Sequence, residues 1–284
     1  MSRIFEALQR AEGQPGEAHA AAAGPSAWAA ALSVASPDRA PETAPEPVFP
    51  TFTPQPGAAS RLVCWNQWED NAAEAFRQLA AKLLHLRERC HPERRLQTVL
   101  CTSSLPREGK SIVAANLALA LARTSGNRTL LLDGDLRQPA QAQLWGVEDG
   151  AGLADWMHHA DPSPIPAPPV RRLGETSAHL LPAGAVGRAT QPLAFLESPR
   201  AAQLLMMLNS WFPWVIIDAP PLLPVADAHA WARMADGVLL VTRAGVSRKA
   251  QVREALRSLD SRNLLGLVVN QNPQSALAYP PPRS

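Results

Sequence analysis

The sequence predicts an α/β fold, a mostly parallel β-sheet flanked by helices on both faces. Three observations predict it. Short continuous apolar runs, QTVLCT (97–102), RTLLLD (128–133), PWVIID (213–218), GVLLVT (237–242) and LLGLVVN (264–270), recur along the C-terminal two thirds of the chain. Amphipathic or apolar helical stretches stand between them, and such alternation gives a parallel sheet covered on both sides. The third observation is chemical. One run opens into Gly109-Lys110-Ser111, and two others end in aspartate.

The elements follow in order. At the N-terminus, SRIFEALQRAE places Ile4, Phe5 and Leu8 on one face, so residues 1–12 read as a short amphipathic helix. Residues 13–60 are dominated by Ala, Pro, Gly and Ser, and too little apolar surface is available there to offset the entropy of ordering. This segment is expected to be a linker, with structure resuming at Arg61. DNAAEAFRQLAAKLLHLRERC (70–90) reads as a helix with Phe76, Leu79 and Leu83 inward. KSIVAANLALALART (110–124), ADAHAWARMAD (226–236) and RKAQVREALRSLD (248–260) are helices between strands. The proline-rich stretch 158–176 is expected to be a surface loop, and residues 276–284 a flexible tail carrying Tyr279.

Composition limits the function classes. The 284 residues carry a formal net charge of +2, which gives no argument for nucleic acid. Cys64, Cys90 and Cys101 are odd in number and not spaced for zinc, so they are expected to be reduced thiols. No apolar run approaches the roughly 20 residues of a membrane-spanning helix, and the charged N-terminus has no apolar core of a signal peptide. A cytoplasmic protein without a membrane span of its own is the expectation.

CTSSLPREGKS (101–111) carries the chemistry. The phosphate-binding pattern G-x-x-x-x-G-K-[ST] asks for glycine six residues before the lysine; Ser104 stands there, and Arg107 occupies a position where glycine is common. The context is nonetheless that of a phosphate loop, between a buried strand and a helix whose N-terminal amides can cup an anion. Lys110 is one of only three lysines, with Lys82 and Lys249, in a chain that otherwise uses arginine. It can reach terminal phosphates, and the Ser111 hydroxyl suits Mg²⁺. Asp133 and Asp135, in TLLLDGDLRQP, point the same way in extended geometry, and Asp218 ends the strand of WVIIDAPP. Taken singly, each has a bland alternative: a helix starting at Glu108, a solvated Asp-Gly turn, a strand-end carboxylate. Together, in this order, they point to one nucleotide site.

These residues resemble the bacterial tyrosine kinases of capsule and exopolysaccharide synthesis. That family uses T-S-S-x-P-G-E-G-K-S, here Thr102 to Ser111, then D-x-D-x-R, here Asp133, Asp135 and Arg137, then D-x-P-P, here Asp218 to Pro221. GLADWM (152–157) and LLPAG (180–184) are weaker echoes, and the resemblance covers about residues 61–275. It implies a P-loop NTPase-like kinase domain in which Ser104, Pro106, Arg107, Glu108, Gly109, Lys110, Ser111 and Ile112 bind ATP. By the same resemblance Ser111, Asp135 and Asp218 organise Mg²⁺, and Asp133 accepts the tyrosine hydroxyl proton or orients the attacking oxygen. Asn270 contacts adenine, and Tyr279 is the phospho-acceptor. Lys110, Asp133 and Asp135 are then the catalytic set. The implied partner is a membrane-anchored chain-length determinant (polysaccharide co-polymerase) that recruits the protein to the inner face of the membrane, with homo-oligomerisation possible within the family.

Three departures stand out. Arg107 replaces a glycine, the oligomerisation motif E-x-x-R-x-x-R appears as Glu74, Arg77 and Ala80, and the tail has a single tyrosine where the family has a cluster. Two other functions share the architecture: a switch ATPase of the partition type, whose signature lysine is replaced here by Leu105, and a nucleotide-binding docking module without turnover.

Overall fold

The computed structural model describes residues 47–57, 61–90, 95–147, 150–157, 167–184 and 191–271. The helix expected over 1–12, most of the expected linker, and the tail with Tyr279 lie outside the described residues. The chain divides into Met1–Val48 and Phe49–Ser284, and the fold below belongs to the second unit.

Among the described residues, eight strands form one sheet: β1 (Thr51–Phe52), β2 (Thr98–Ser103), β3 (Thr129–Asp133), β4 (Arg171–Leu173), β5 (Ala178–Leu181), β6 (Trp214–Asp218), β7 (Gly237–Arg243) and β8 (Leu264–Asn270). Their spatial order is β1-β4-β5-β3-β6-β2-β7-β8. All pairs are parallel except the β4–β5 hairpin. β2, β3 and β6 are buried at every residue, which is why they read as unbroken apolar runs.

The helices are α1 (Val63–Asn66), α2 (Asn71–Arg89), α3 (Lys110–Ser125), α4 (Gln141–Trp145), α5 (Leu153–Met157), α6 (Pro192–Leu196), α7 (Pro199–Trp211), α8 (Asp227–Met234) and α9 (Lys249–Arg257). One core cluster joins α1, α2 and α3 to the sheet through Leu62, Leu83, Leu117 and Ile216. Another joins α5, α7 and α8 through Leu153, Leu204, Ile217 and Trp231. Helices therefore cover both faces, as the sequence predicts. α3 is buried from Val113 through Ala122, and alternating alanines let it lie close against the sheet. Gly126, at φ 69°, closes it.

The linker expected over 13–60 ends earlier. Thr51 and Phe52 pair with Arg172 and Leu173, and the Phe49 ring stacks on Phe212 at 5.3 Å. Aromatic burial supplies what the surrounding prolines cannot. The loop expected over 158–176 is corrected likewise: Arg171–Leu173 forms β4, with Val170 and Leu173 buried. The segments GLADWM and LLPAG meet each other, with the amides of Leu153 and Ala154 donating to the carbonyls of Pro182 and Ala183, both at 2.8 Å.

Candidate active site

Strand order builds the site. β3, β6 and β2 are neighbours, and the register sets Asp133 opposite Asp218 and Asp218 opposite Cys101. The chain leaves β2 for β3 and returns to fill β6 between them. The carboxyl ends of all three strands therefore open at one crevice, where sheets of this kind bind ligands.

The loop from Ser104 to Gly109 is shaped by its own side chains. Arg107 and Gly109 both hold positive φ, at 66° and 94°. At Gly109 a Cβ would overlap the side chain of Asn270, whose Nδ2 donates to the Glu108 carbonyl at 3.1 Å. Glu108 turns inward: one carboxylate oxygen accepts the Leu105 N–H at 2.9 Å and the other accepts the Ser247 hydroxyl. Thr102 Oγ1 donates to the Pro220 carbonyl at 2.7 Å, tying β2 to the D-x-P-P turn. The Leu105 amide is thus engaged and Pro106 has no N–H, so the anion-facing donors begin further along. The amides of Lys110, Ser111 and Ile112 open α3 and have no acceptor within the helix. Arg107 is exposed, whereas Ser104 is buried and its hydroxyl has no hydrogen-bond partner.

Lys110 Nζ lies 2.9 Å from Asp135 Oδ2 and 3.6 Å from Asp218 Oδ1, and donates to Ser111 Oγ at 3.3 Å. Burial pulls the lysine pKa down, but the charges of Asp218 and Asp135 overcome this and hold it above its ordinary value. Asp218 is fully buried, and burial raises its pKa while Lys110, Ser111 and Gln141 pull it back. Burial, reinforced by the charge of Asp218, pushes Asp133 up to about 8. Asp133 Oδ2 accepts the amides of Ala140 and Gln141 at 3.1 and 2.9 Å, and Asp135 Oδ1 accepts that of Gln138 at 3.0 Å. Gly134 lets Ile217 and Trp231 approach to within about 3 Å of where a Cβ would stand.

The site can hold Mg²⁺. Asp218 Oδ1 is buried with no hydrogen-bond partner, and around the same Lys110 ammonium stand two further oxygen groups, the Ser111 hydroxyl and the Asp135 carboxylate. A hard divalent cation takes that set. Beside the loop is a cavity of about 330 Å³, lined by Arg61, Val63, Gln67, Phe76, Ile112 and Asn270 among others.

Every expected site residue within the described part of the chain thus stands at or beside this crevice. Tyr279 lies outside the described residues. Arg137, the arginine of D-x-D-x-R, pairs outside the acidic set. Its guanidinium is bidentate on Asp227, at 2.7 and 3.0 Å, which braces the loop after β3 against α8. Asp227 makes this pair and gives α8 no side-chain cap. Sequence reasoning does not single out Gln141 or Ser247. The oligomerisation motif is altered as expected: Glu74 and Arg77 pair at 2.6 Å within α2, Arg77 also bonds the Trp68 carbonyl, and Ala80 is fully buried.

Fold and site together define a P-loop nucleotide-binding protein. The relatives then give the family. The chain is 33% identical over 181 residues to the tyrosine-protein kinase YwqD of Bacillus subtilis, spanning 63% of this chain and 73% of that one. It is 36% identical over 184 residues to the succinoglycan biosynthesis transport protein ExoP of Rhizobium meliloti, 64% of this chain but only 23% of that protein's length. The kinase domain of the Escherichia coli tyrosine kinase ETK superposes with a TM-score of 0.63 at 27% identity, covering 74% of this chain and 79% of that domain. No protein-family model matches the chain. The chain belongs to the bacterial tyrosine kinases of exopolysaccharide and capsule synthesis.

Proposed function

We propose that this chain transfers the γ-phosphoryl group of Mg·ATP to tyrosine and so regulates polysaccharide polymerisation or export. The observation that carries the reading is the convergence of Lys110, Asp135 and Asp218 at the mouth of one phosphate loop. Bound Mg²⁺ supplies charge neutralisation on the phosphates. The chain's own groups do the rest by positioning and electrostatics. The first amides of α3 and Lys110 hold the phosphate oxygens. Ser111, Asp135 and Asp218 are the metal-holding set, and the cavity beside Asn270 takes the base. The tyrosine oxygen bonds to the γ-phosphorus, the bond to the ADP oxygen breaks, and the phenolic proton passes to Asp133. Asp133 stands at the same strand ends as the metal-holding aspartates, and its raised proton affinity, set by burial and by the charge of Asp218, favours taking up that proton.

The acceptor in this reading is Tyr279 or a partner protein. No helix among the described residues is long and apolar enough to cross a membrane. Recruitment to the inner face of the membrane is therefore assigned to a chain-length determinant partner, engaged by residues 1–12 through the linker. Because β1 belongs to the sheet, the deletion that tests this tether removes residues 1–46 and not 1–60. The deleted protein is expected to bind ATP normally and to stop fractionating with membranes that contain the partner.

Phosphate from γ-labelled ATP decides the main claim. Acid-stable label on tyrosine, lost in Tyr279→Phe, supports a kinase with one tail acceptor; label that survives the substitution moves the acceptor to another protein. Released phosphate without labelled protein would overturn the kinase in favour of a switch ATPase.

A further inference from the structure

Gln141 belongs to none of the three motifs, yet it touches all of them. Its backbone N–H donates to Asp133 Oδ2 at 2.9 Å. Its side-chain Nε2 donates to Asp218 Oδ2 at 2.8 Å and to the carbonyl of Ser111 at 3.0 Å. Its Oε1 accepts the indole N–H of Trp145 at 3.3 Å. The residue is fully buried. The amide can face only one way, because two acceptors require the NH₂ end and one donor requires the oxygen.

This arrangement makes the two oxygens of Asp218 unequal. Oδ2 is fixed by the Gln141 amide. Oδ1 is buried, has no hydrogen-bond partner, and faces Lys110 Nζ at 3.6 Å. Only the Lys110 ammonium, at a distance too long for a hydrogen bond, offsets the charge on Oδ1, so that oxygen keeps its lone pairs for a further cation. The carbonyl of Ser111 is held by the same NH₂ group that holds Asp218. Gln141 therefore ties the first turn of α3 to the end of β6, which are the two elements that present the Ser111 hydroxyl and Asp218 Oδ1.

We propose that Gln141 is a positioning residue for Mg²⁺, a role that rests on the Mg·ATP reading above. It pins Asp218 so that one oxygen stays aimed at the cation, and it keeps the spacing between that oxygen and the Ser111 hydroxyl. Partners that orient a metal-holding group typically change metal affinity about 10- to 100-fold when removed.

The test uses the full-length chain and a fluorescent ADP analogue, titrated in excess Mg²⁺ and in EDTA. Gln141→Leu is expected to bind the analogue in EDTA within about twofold of wild type, while the Mg²⁺ concentration for half-maximal tightening rises about tenfold. Trp145→Phe, which removes the donor to Oε1 but leaves both Nε2 contacts possible, is expected to shift it in the same direction by less. That variant keeps the proposal testable if Gln141→Leu does not fold. Loss of affinity in both conditions alike, or a wild-type Mg²⁺ response in Gln141→Leu, overturns the role of Gln141. A wild-type protein whose nucleotide affinity ignores Mg²⁺ would instead overturn the Mg·ATP reading.

Discussion

Glu108 and Ser247 join the phosphate loop to the turn that follows the neighbouring strand β7. The Ser247 hydroxyl, which also accepts the Arg243 N–H at 2.8 Å, donates to the Glu108 carboxylate, and that carboxylate in turn holds the Leu105 amide at 2.9 Å. The β7–α9 turn therefore helps set the loop's shape. Ser247→Ala leaves a buried carboxylate oxygen without its donor, at a cost of about 1–2 kcal/mol. Equilibrium binding of ADP is expected to weaken about fivefold or more in Ser247→Ala and to stay near wild type in Ser247→Thr. Equal affinity in all three proteins would show that the contact does not shape the loop.

Arg107 holds φ 66° in that same loop. A non-glycine residue in this region carries about 1–2 kcal/mol of strain, of which glycine's extra backbone entropy gives back part. Arg107→Gly is expected to raise unfolding stability by about 0.5–1 kcal/mol in a denaturant titration, and Arg107→Ala to give no gain.

Acid sensitivity is expected from His179. Its ring packs edge-on against Phe49 and Phe212, with centroids 5.2 and 5.1 Å away, and burial depresses its pKa from 6.5 to about 4. Between these values the unfolded chain binds a proton that the folded chain refuses, so this residue's effect lowers stability as pH falls from about 6.5 to 4. Thermal unfolding across that range is expected to show a smaller loss in His179→Phe. An unchanged slope would contradict the assignment.

Completing the E-x-x-R-x-x-R pattern is not expected to restore assembly. Ala80 is fully buried, and Glu74 and Arg77 are already paired. Ala80→Arg would place a guanidinium in the packing between α2 and the core, which costs about 2 kcal/mol or more. Lower stability without a larger species in sedimentation is the expected outcome.

Much of this was open to sequence reasoning, for definite physical reasons. β2, β3, β6 and β7 are continuous apolar runs because helices cover both sheet faces, and the loop and the aspartates sit at the ends of the first three. β1 and β4 span only Thr51–Phe52 and Arg171–Leu173, too short for any periodicity, and lie among prolines. α7 did carry a signal: Ser198 precedes Pro199 at the first turn, and Leu204, Leu205 and Leu208 mark one buried face. Gln141 carried none. It is an uncharged residue in QPAQAQLW, and its place in the site comes from a contact with Asp218, 77 residues away.

The central claim is that the loop lysine and the strand-end aspartates act as one phosphoryl-transfer site. The most direct measurement is the rate of tyrosine phosphorylation from labelled Mg·ATP by wild type, Lys110→Ala and Asp218→Asn. The account predicts a fall of about 100-fold or more in each variant, the scale on which single preorganised charges act on a transition state. Phosphorylation that proceeds at the wild-type rate in either variant would contradict it.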